Sequence, residues 1–201
     1  NTSGRVYWHA LWGDNGSTIS MDMSFNVDKT GTYSYYLGWF IQNANGIDCS
    51  HAYNTIQHRG PDKTTVKIHD DSVFAFHRLA INDVSVTGDQ PFECNNVVLM
   101  CNGEIYNHSD LHHMYKCVGE SDCEIIAQMI AAYVPMDVVC NALDGVFAFV
   151  GKRGNDVFAA RDIIGVRPLY YGFTEEKSIV FSSELKGLID VCEDVSIKEF
   201  P

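Results

Sequence analysis

The sequence predicts an α+β fold, with two antiparallel sheets packed together and helices on their outer faces. Two observations lead there. Residues 19–28 alternate strictly, with Ile19, Met21, Met23, Phe25 and Val27 apolar and Ser20, Asp22, Ser24, Asn26 and Asp28 polar, the period of a half-buried strand. The later elements come as strands, then a block of helices, then strands again, which is not the strand-helix alternation of a doubly wound sheet.

The elements follow in chain order. Residues 1–18 read as a loop or as an extra strand around Val6–Leu11. Lys29-Thr30-Gly31-Thr32 reads as a turn joining the 19–28 strand to an aromatic strand at Tyr33–Gln42, so a hairpin is expected between those two strands. Asp48–Gln57 reads as a short helix with Asp48 placed to cap it. Strands are expected at Val66–Ile68, Ser72–Phe76 and Val97–Cys101, and helices at Asp110–Tyr115, Asp122–Tyr133 and Pro135–Leu143. Strands follow at Gly145–Val150, Asp156–Ala160, Leu169–Gly172 and Ser178–Phe181, then a last helix at Glu184–Ile189.

Composition narrows the function classes. The chain has 201 residues, 46% of them apolar, enough for one good core. A net charge of -12 repels phosphate backbones and anionic lipid, so nucleic-acid binding is not expected. No apolar run approaches the roughly 20 residues of a membrane span, and no basic-then-apolar segment opens the chain, so neither membrane insertion nor a signal peptide is expected. The seven cysteines are odd in number, irregularly spaced and without C-x-x-C, which points to reduced thiols in an intracellular, reducing compartment and to no metal. Asn1, Asn15 and Asn107 fit the glycosylation pattern, which is short enough to recur by chance.

Several blocks point to one chemistry. Asn102-Gly103 follows the apolar strand Val97–Cys101, where a side-chain amide and a nearby backbone N–H can converge on one oxygen. Read alone, Asn-Gly is more often a turn. Arg78 suits a carboxylate and Asp122 an ammonium, although a structural ion pair and a helix-terminal carboxylate are the plainer readings of each.

His58-Arg59-Gly60-Pro61-Asp62, Asn102-Gly103-Glu104-Ile105-Tyr106-Asn107 and Ser121-Asp122-Cys123-Glu124 resemble the glutaminase half of an asparagine synthetase, a class II glutamine amidotransferase domain. Asp144–Phe149, Arg161-Asp162, Gly165–Gly172 and Ser183–Lys186 continue the resemblance in the same order. It is dense after His58 and thin before it. It implies the four-layer αββα sandwich of the N-terminal-nucleophile hydrolases over residues 33–201, with residues 1–32 as an extension. It also implies an oxyanion hole at Asn102 and Gly103 and a carboxylate clamp at Arg78, with Leu79 and Ile81 lining the site. Asp122 would take the amino group of glutamine, with Glu104 beside it.

In that family the first residue of the mature chain is a cysteine. Its thiolate attacks, and its α-amine, with an unperturbed pKa near ~8, serves as base. The matching strand here reads Tyr35-Tyr36-Leu37-Gly38-Trp39-Phe40, so Leu37 stands at the nucleophile position with 36 residues before it. Cys49, Cys101 and Cys123 are poor substitutes by position, and Thr2, Ser3 and Ser34 do not open the strand. The resemblance therefore implies a degenerate amidotransferase domain with no intact catalytic residue and no cofactor. Glutamine and protein partners in a larger assembly are its expected contacts. The alternative is an active glutaminase domain releasing ammonia for asparagine synthesis. Neither a Ser-Gly-Gly-x-Asp-Ser loop nor a Gly-Lys-Ser loop occurs in these residues, so no ATP-using synthetase domain is expected within them.

Overall fold

The computed structural model describes residues 2–11, 18–27, 37–41, 44, 48–79 and 86–201, with 2–11, 18–27 and Leu37 described by backbone alone. Among the described residues two six-stranded sheets form, and every strand pair is antiparallel. The first sheet runs β2 (Thr18–Val27), β1 (Thr2–Leu11), β9 (Asp156–Arg161), β8 (Gly145–Arg153), β7 (Val97–Ile105), β6 (Phe92–Cys94). The second runs β12 (Lys198–Glu199), β10 (Tyr170–Phe173), β11 (Ile179–Ser182), β3 (Leu37–Ile41), β5 (Ser72–Arg78), β4 (Lys63–His69).

The central strands are buried on both faces, and period two sorts their side chains between separate cores. On β7, Val97, Leu99, Cys101 and Ile105 face α2 (His108–His112), α3 (Glu124–Ala131) and α4 (Met136–Ala142), joining Ile125, Ile126, Met129 and Val139. Val98 and Met100 face the other way and meet Phe40, Phe74 and Phe76 of the second sheet. Phe40 and Phe74 have ring centroids 4.7 Å apart, and both are fully buried. Burial of each such ring contributes on the order of 2 kcal/mol or more. The outer face of the second sheet carries Trp39, Ile41, Val73 and Ala75, covered by Ala52 of α1 (Ser50–Asn54) and by Ile56 and Leu188. The layers are helix, sheet, sheet, helix, the αββα sandwich that the sequence predicts.

Two expectations are corrected. The 19–28 strand does not form a hairpin with the Tyr33–Gln42 strand. It pairs with β1 along its whole length, Thr18↔Leu11 to Val27↔Thr2, while β3 lies in the other sheet with β11 and β5 on its two edges. Both edges of β3 are thus taken, and β1 offers β2 ten paired residues. The turn expected at 29–32 lies outside the described residues. The helix expected at Glu184–Ile189 is a single 3₁₀ turn, Leu185–Gly187. Gly187 packs beneath Trp39, whose indole N–H donates to the Gly187 carbonyl at 2.7 Å. A carbonyl spent on that contact does not serve a helical ladder.

Smaller differences have local causes. Asp48 does not occupy the cap position of α1, which is Cys49, but its carboxylate accepts the Ser50 N–H at 3.0 Å. The helix α3 stops short of Tyr133, which adopts a left-handed φ of 59°. The short β6 was not legible in the sequence. Both β1 and β2 belong to the first sheet, because His9–Leu11 pair with Val157–Ala159 of β9.

Candidate functional site

The start of β3 is held by Ser183. Gly38 donates its N–H to Ser183 Oγ at 3.1 Å, and Ser183 returns its own N–H to the Gly38 carbonyl at 3.1 Å. Between the sheets at this point lies a cavity of about 20 Å³, lined by Gly38, Asn102, Ser183, Phe40, Met100 and Phe181 among others. That is room for about one water. A Cβ on Gly38 would sit 3.4 Å from Met100 Cε, in ordinary van der Waals contact with it.

Asn102 is 6% exposed and borders this cavity, on the face of β7 turned toward the second sheet. Gly103 points the opposite way, against β8. A Cβ there would come within 2.5 Å of the Val146 carbonyl, so only glycine lets these strands close. The residue before the pair is fixed from outside the sheet. Buried Gln90 accepts the Cys101 N–H at 2.7 Å and donates to the Cys101 carbonyl at 3.0 Å. Gln90 thus imitates a neighbouring strand next to the predicted oxyanion donors.

Arg78 ends β5, one residue beyond His77, the strand partner of Leu37. Its guanidinium is buried, and Nη1 donates to Asp89 Oδ1 at 2.5 Å. Asp89 Oδ2 is paired with Lys63 Nζ. The His58–Asp62 block packs behind. A Cβ on Gly60 would lie 2.2 Å from the His77 carbonyl oxygen, and Asp62 N–H donates to the Arg78 carbonyl at 3.0 Å. Leu79 is half-buried beside Arg78, and Ile81 lies outside the described residues.

Glu104 and Asp122 form the acidic part. Asp122 is 5% exposed, and its Oδ2 accepts the Ile105 N–H at 2.6 Å. Burial pushes its carboxyl up, against the pull of that N–H. Glu104 is also pushed up, by burial first and by the charge of Asp122 second, with Arg167 and His108 opposing. Its Oε2 is buried and, among the described residues, has no hydrogen-bond partner. Two carboxylates raised in this way are suited to a cation, which would relieve both.

The structure therefore brings Asn102 to the start of β3 and places Asp122 close enough for its charge to raise the Glu104 carboxyl. Among the described residues, Arg78, Glu104 and Asp122 do not line the small cavity at Asn102. Sequence reasoning missed Asp89 and Gln90, and it took Ser183 only as part of the Ser183–Lys186 block. The stretch Gly88-Asp89-Gln90-Pro91 carried a signal, a turn with a carboxylate and an amide soon after Arg78.

Cys49, Cys101 and Cys123, the three cysteines weighed as substitutes, do not line the cavity at Asn102. Cys49 packs with Trp39 on the outer face of the second sheet, and burial raises its pKa rather than the helix start lowering it. Cys101 and Cys123 lie in the helix-side core of the first sheet, away from the cavity. Cys123 Sγ donates to the Gly103 carbonyl at 3.6 Å. Among the described residues no group of His, Cys, Asp and Glu side chains could hold a metal ion.

The fold and site define a class II glutamine amidotransferase domain, and comparison with known proteins agrees. The family model described as "Glutamine amidotransferase domain" matches residues 36–199, and the chain belongs to that family. It is asparagine-synthetase-like in sequence. It is 44% identical over 145 residues to asparagine synthetase [glutamine-hydrolyzing] 2 of Oryza sativa subsp. japonica, covering 69% of this chain and 24% of the relative. It is 42% identical over 155 residues to an asparagine synthetase [glutamine-hydrolyzing] of Sandersonia aurantiaca, covering 73% of this chain and 28% of the relative. The chain thus spans about a quarter of the length of these curated relatives. The fold is similar to that of the glutamine phosphoribosylpyrophosphate amidotransferase from B. subtilis, with a TM-score of 0.63 at 18% identity, covering 82% of this chain and 48% of that one.

Proposed function

We propose that this domain keeps the glutamine-binding frame of an asparagine-synthetase-like amidotransferase without a working nucleophile, and acts as a ligand-binding or structural subunit of a larger assembly. One observation carries the reading: β3 opens with Leu37, beside the Gly38 that shares a cavity with Asn102. Amide hydrolysis needs an attacking atom next to the oxyanion donors, and leucine has none. The residues before Leu37 include β1, paired to β9 within the first sheet, which favours a built-in extension over a propeptide.

In this reading Arg78 takes the α-carboxylate of glutamine, and Asp122 and Glu104 take the ammonium. Asn102 and Gly103 face the side-chain amide oxygen, and Leu79 and Ile81 line the site. The protein partners and an intracellular, reducing compartment belong to the same proposal.

The test is calorimetry with L-glutamine beside a glutaminase assay on the same sample. Binding without ammonia release is the expected result. Ammonia release abolished by a thiol alkylator sinks the degenerate reading in favour of an active glutaminase. Neither binding nor release leaves only the structural role.

A further inference from the structure

Two consecutive residues, Asp89 and Gln90, each grip a different sheet. Asp89 holds Arg78 of the second sheet through Oδ1 at 2.5 Å and pairs with Lys63 through Oδ2. Gln90, 2% exposed, holds both main-chain groups of Cys101 in the first sheet, at 2.7 and 3.0 Å. Cys101 is followed directly by Asn102. The predicted carboxylate clamp and the predicted amide-oxygen donors are therefore tied to neighbouring residues of one short segment.

We propose that Asp89 and Gln90 are positioning residues that set the span between Arg78 and Asn102, and so select glutamine over asparagine, its homologue shorter by one methylene. The inference rests on the glutamine reading of the site. A bound amino acid offers a carboxylate at one end and an amide oxygen at the other. A rigid site reads the distance between them, because misplacement on the ångström scale costs much of a well-oriented contact.

A charge role and a spacing role predict different results. Removing a negative charge beside Arg78 changes the affinity of every amino-acid carboxylate alike. Releasing the spacer changes the preference between two lengths. The experiment is calorimetric titration of the full 201-residue chain with L-glutamine and L-asparagine, for the parent, Asp89→Asn and Asp89→Glu, with melting curves for each. The glutamine-to-asparagine affinity ratio should fall about tenfold in Asp89→Asn, the scale of one methylene in a fitted pocket. Asp89→Glu keeps the charge and lengthens the arm, and its ratio should narrow too, which covers the case of an Asp89→Asn chain that does not fold. A parent that binds glutamine, with variants that keep its ratio, overturns the inference alone. A parent that binds neither amino acid overturns the glutamine reading and this inference with it.

Discussion

Lys152 Nζ, buried on β8 of the first sheet, lies 2.7 Å from Asp71 Oδ1 at the β4–β5 turn of the second sheet. Ser72 Oγ accepts a second bond from the ammonium at 3.0 Å. The lysine is 2% exposed and Asp71 38%, so the two partners are unequal. Losing Asp71 leaves the buried ammonium with Ser72 and the more distant Asp70 Oδ2, 3.9 Å away, while losing Lys152 leaves a carboxylate that water can reach. Asp71→Ala should cost about 3 kcal/mol, and Lys152→Met within about 1 kcal/mol, because an apolar side chain of similar length tolerates the site. Urea unfolding midpoints of the two variants check the order. Equal losses would contradict the argument. The Lys152 hydrogen bond also holds the Asp71 carboxyl below its usual range. Its contribution is complete above the unfolded carboxylate pKa and is lost as pH falls through the lowered folded value.

The sequence made this fold legible where period or motif was strong. The alternation of residues 19–28 gave a strand, and the order of blocks gave two sheets with outer helices. Its pairing was not legible, because alternation says which face is buried and not which neighbour is bonded. Hence β2 was expected beside β3 and lies beside β1. Motifs behaved likewise. Arg59 Nη1 donates to Glu184 Oε1 at 2.8 Å, and Lys186 Nζ lies 3.2 Å from His58 Nε2, so two blocks far apart in sequence clasp each other. Their architectural reading was available from the residues, but their contact was not. Asp89 and Gln90 escaped notice because a turn of Gly-Asp-Gln-Pro is locally ordinary, and its meaning lies in Arg78 and Cys101.

His77 gives the fold a pH dependence. It is fully buried, with Nε2 2.7 Å from the Tyr53 carbonyl and Nδ1 2.9 Å from Thr64 Oγ1. A carbonyl only accepts, so Nε2 carries the proton and Nδ1 accepts from the threonine in the neutral ring. Burial lowers its pKa from 6.5, with the Tyr53 carbonyl opposing. The unfolded chain therefore binds the proton more readily than the folded one. The stabilisation is complete above about pH 6.5 and is lost as pH falls through the lowered folded value. Unfolding midpoints between pH 8 and 5 should decline for the parent and decline less for His77→Gln. Parallel curves would assign the decline to other groups.

Asp162 should be among the costliest single residues outside the site. Its carboxylate accepts N–H groups from Phe147, Ile164, Val166 and Arg167 at 3.0–3.2 Å, and it is 2% exposed. It ties the loop after β9 to the strand opposite Gly103. Asp162→Ala strands several buried donors at once, so a loss of about 3 kcal/mol or more is expected. Asp162→Asn retains one acceptor oxygen and should lose less. Thermal melts of the two variants give the comparison, and a neutral Asp162→Ala would contradict it.

The thiols offer the sharpest check on the proposal that the domain has no working nucleophile. Cys49, Cys101, Cys123, Cys140 and Cys192 are each at most 9% exposed, and Cys94 and Cys117 are half-buried. Burial pushes Cys117 up to about 12, Cys140 to about 12 and Cys192 to about 11, and it raises Cys49 and Cys94 as well. Thiolate is the reactive form, so none of these five is primed for attack at neutral pH. Iodoacetamide at pH 7.5 should label the native chain slowly and mainly at Cys94 and Cys117, as read by peptide mass spectrometry. Neither of these lines the cavity at Asn102, although Cys94 lines a second cavity together with Asp89. Fast labelling of one cysteine that abolishes both glutamine binding and ammonia release would instead show a working thiol and contradict the proposal.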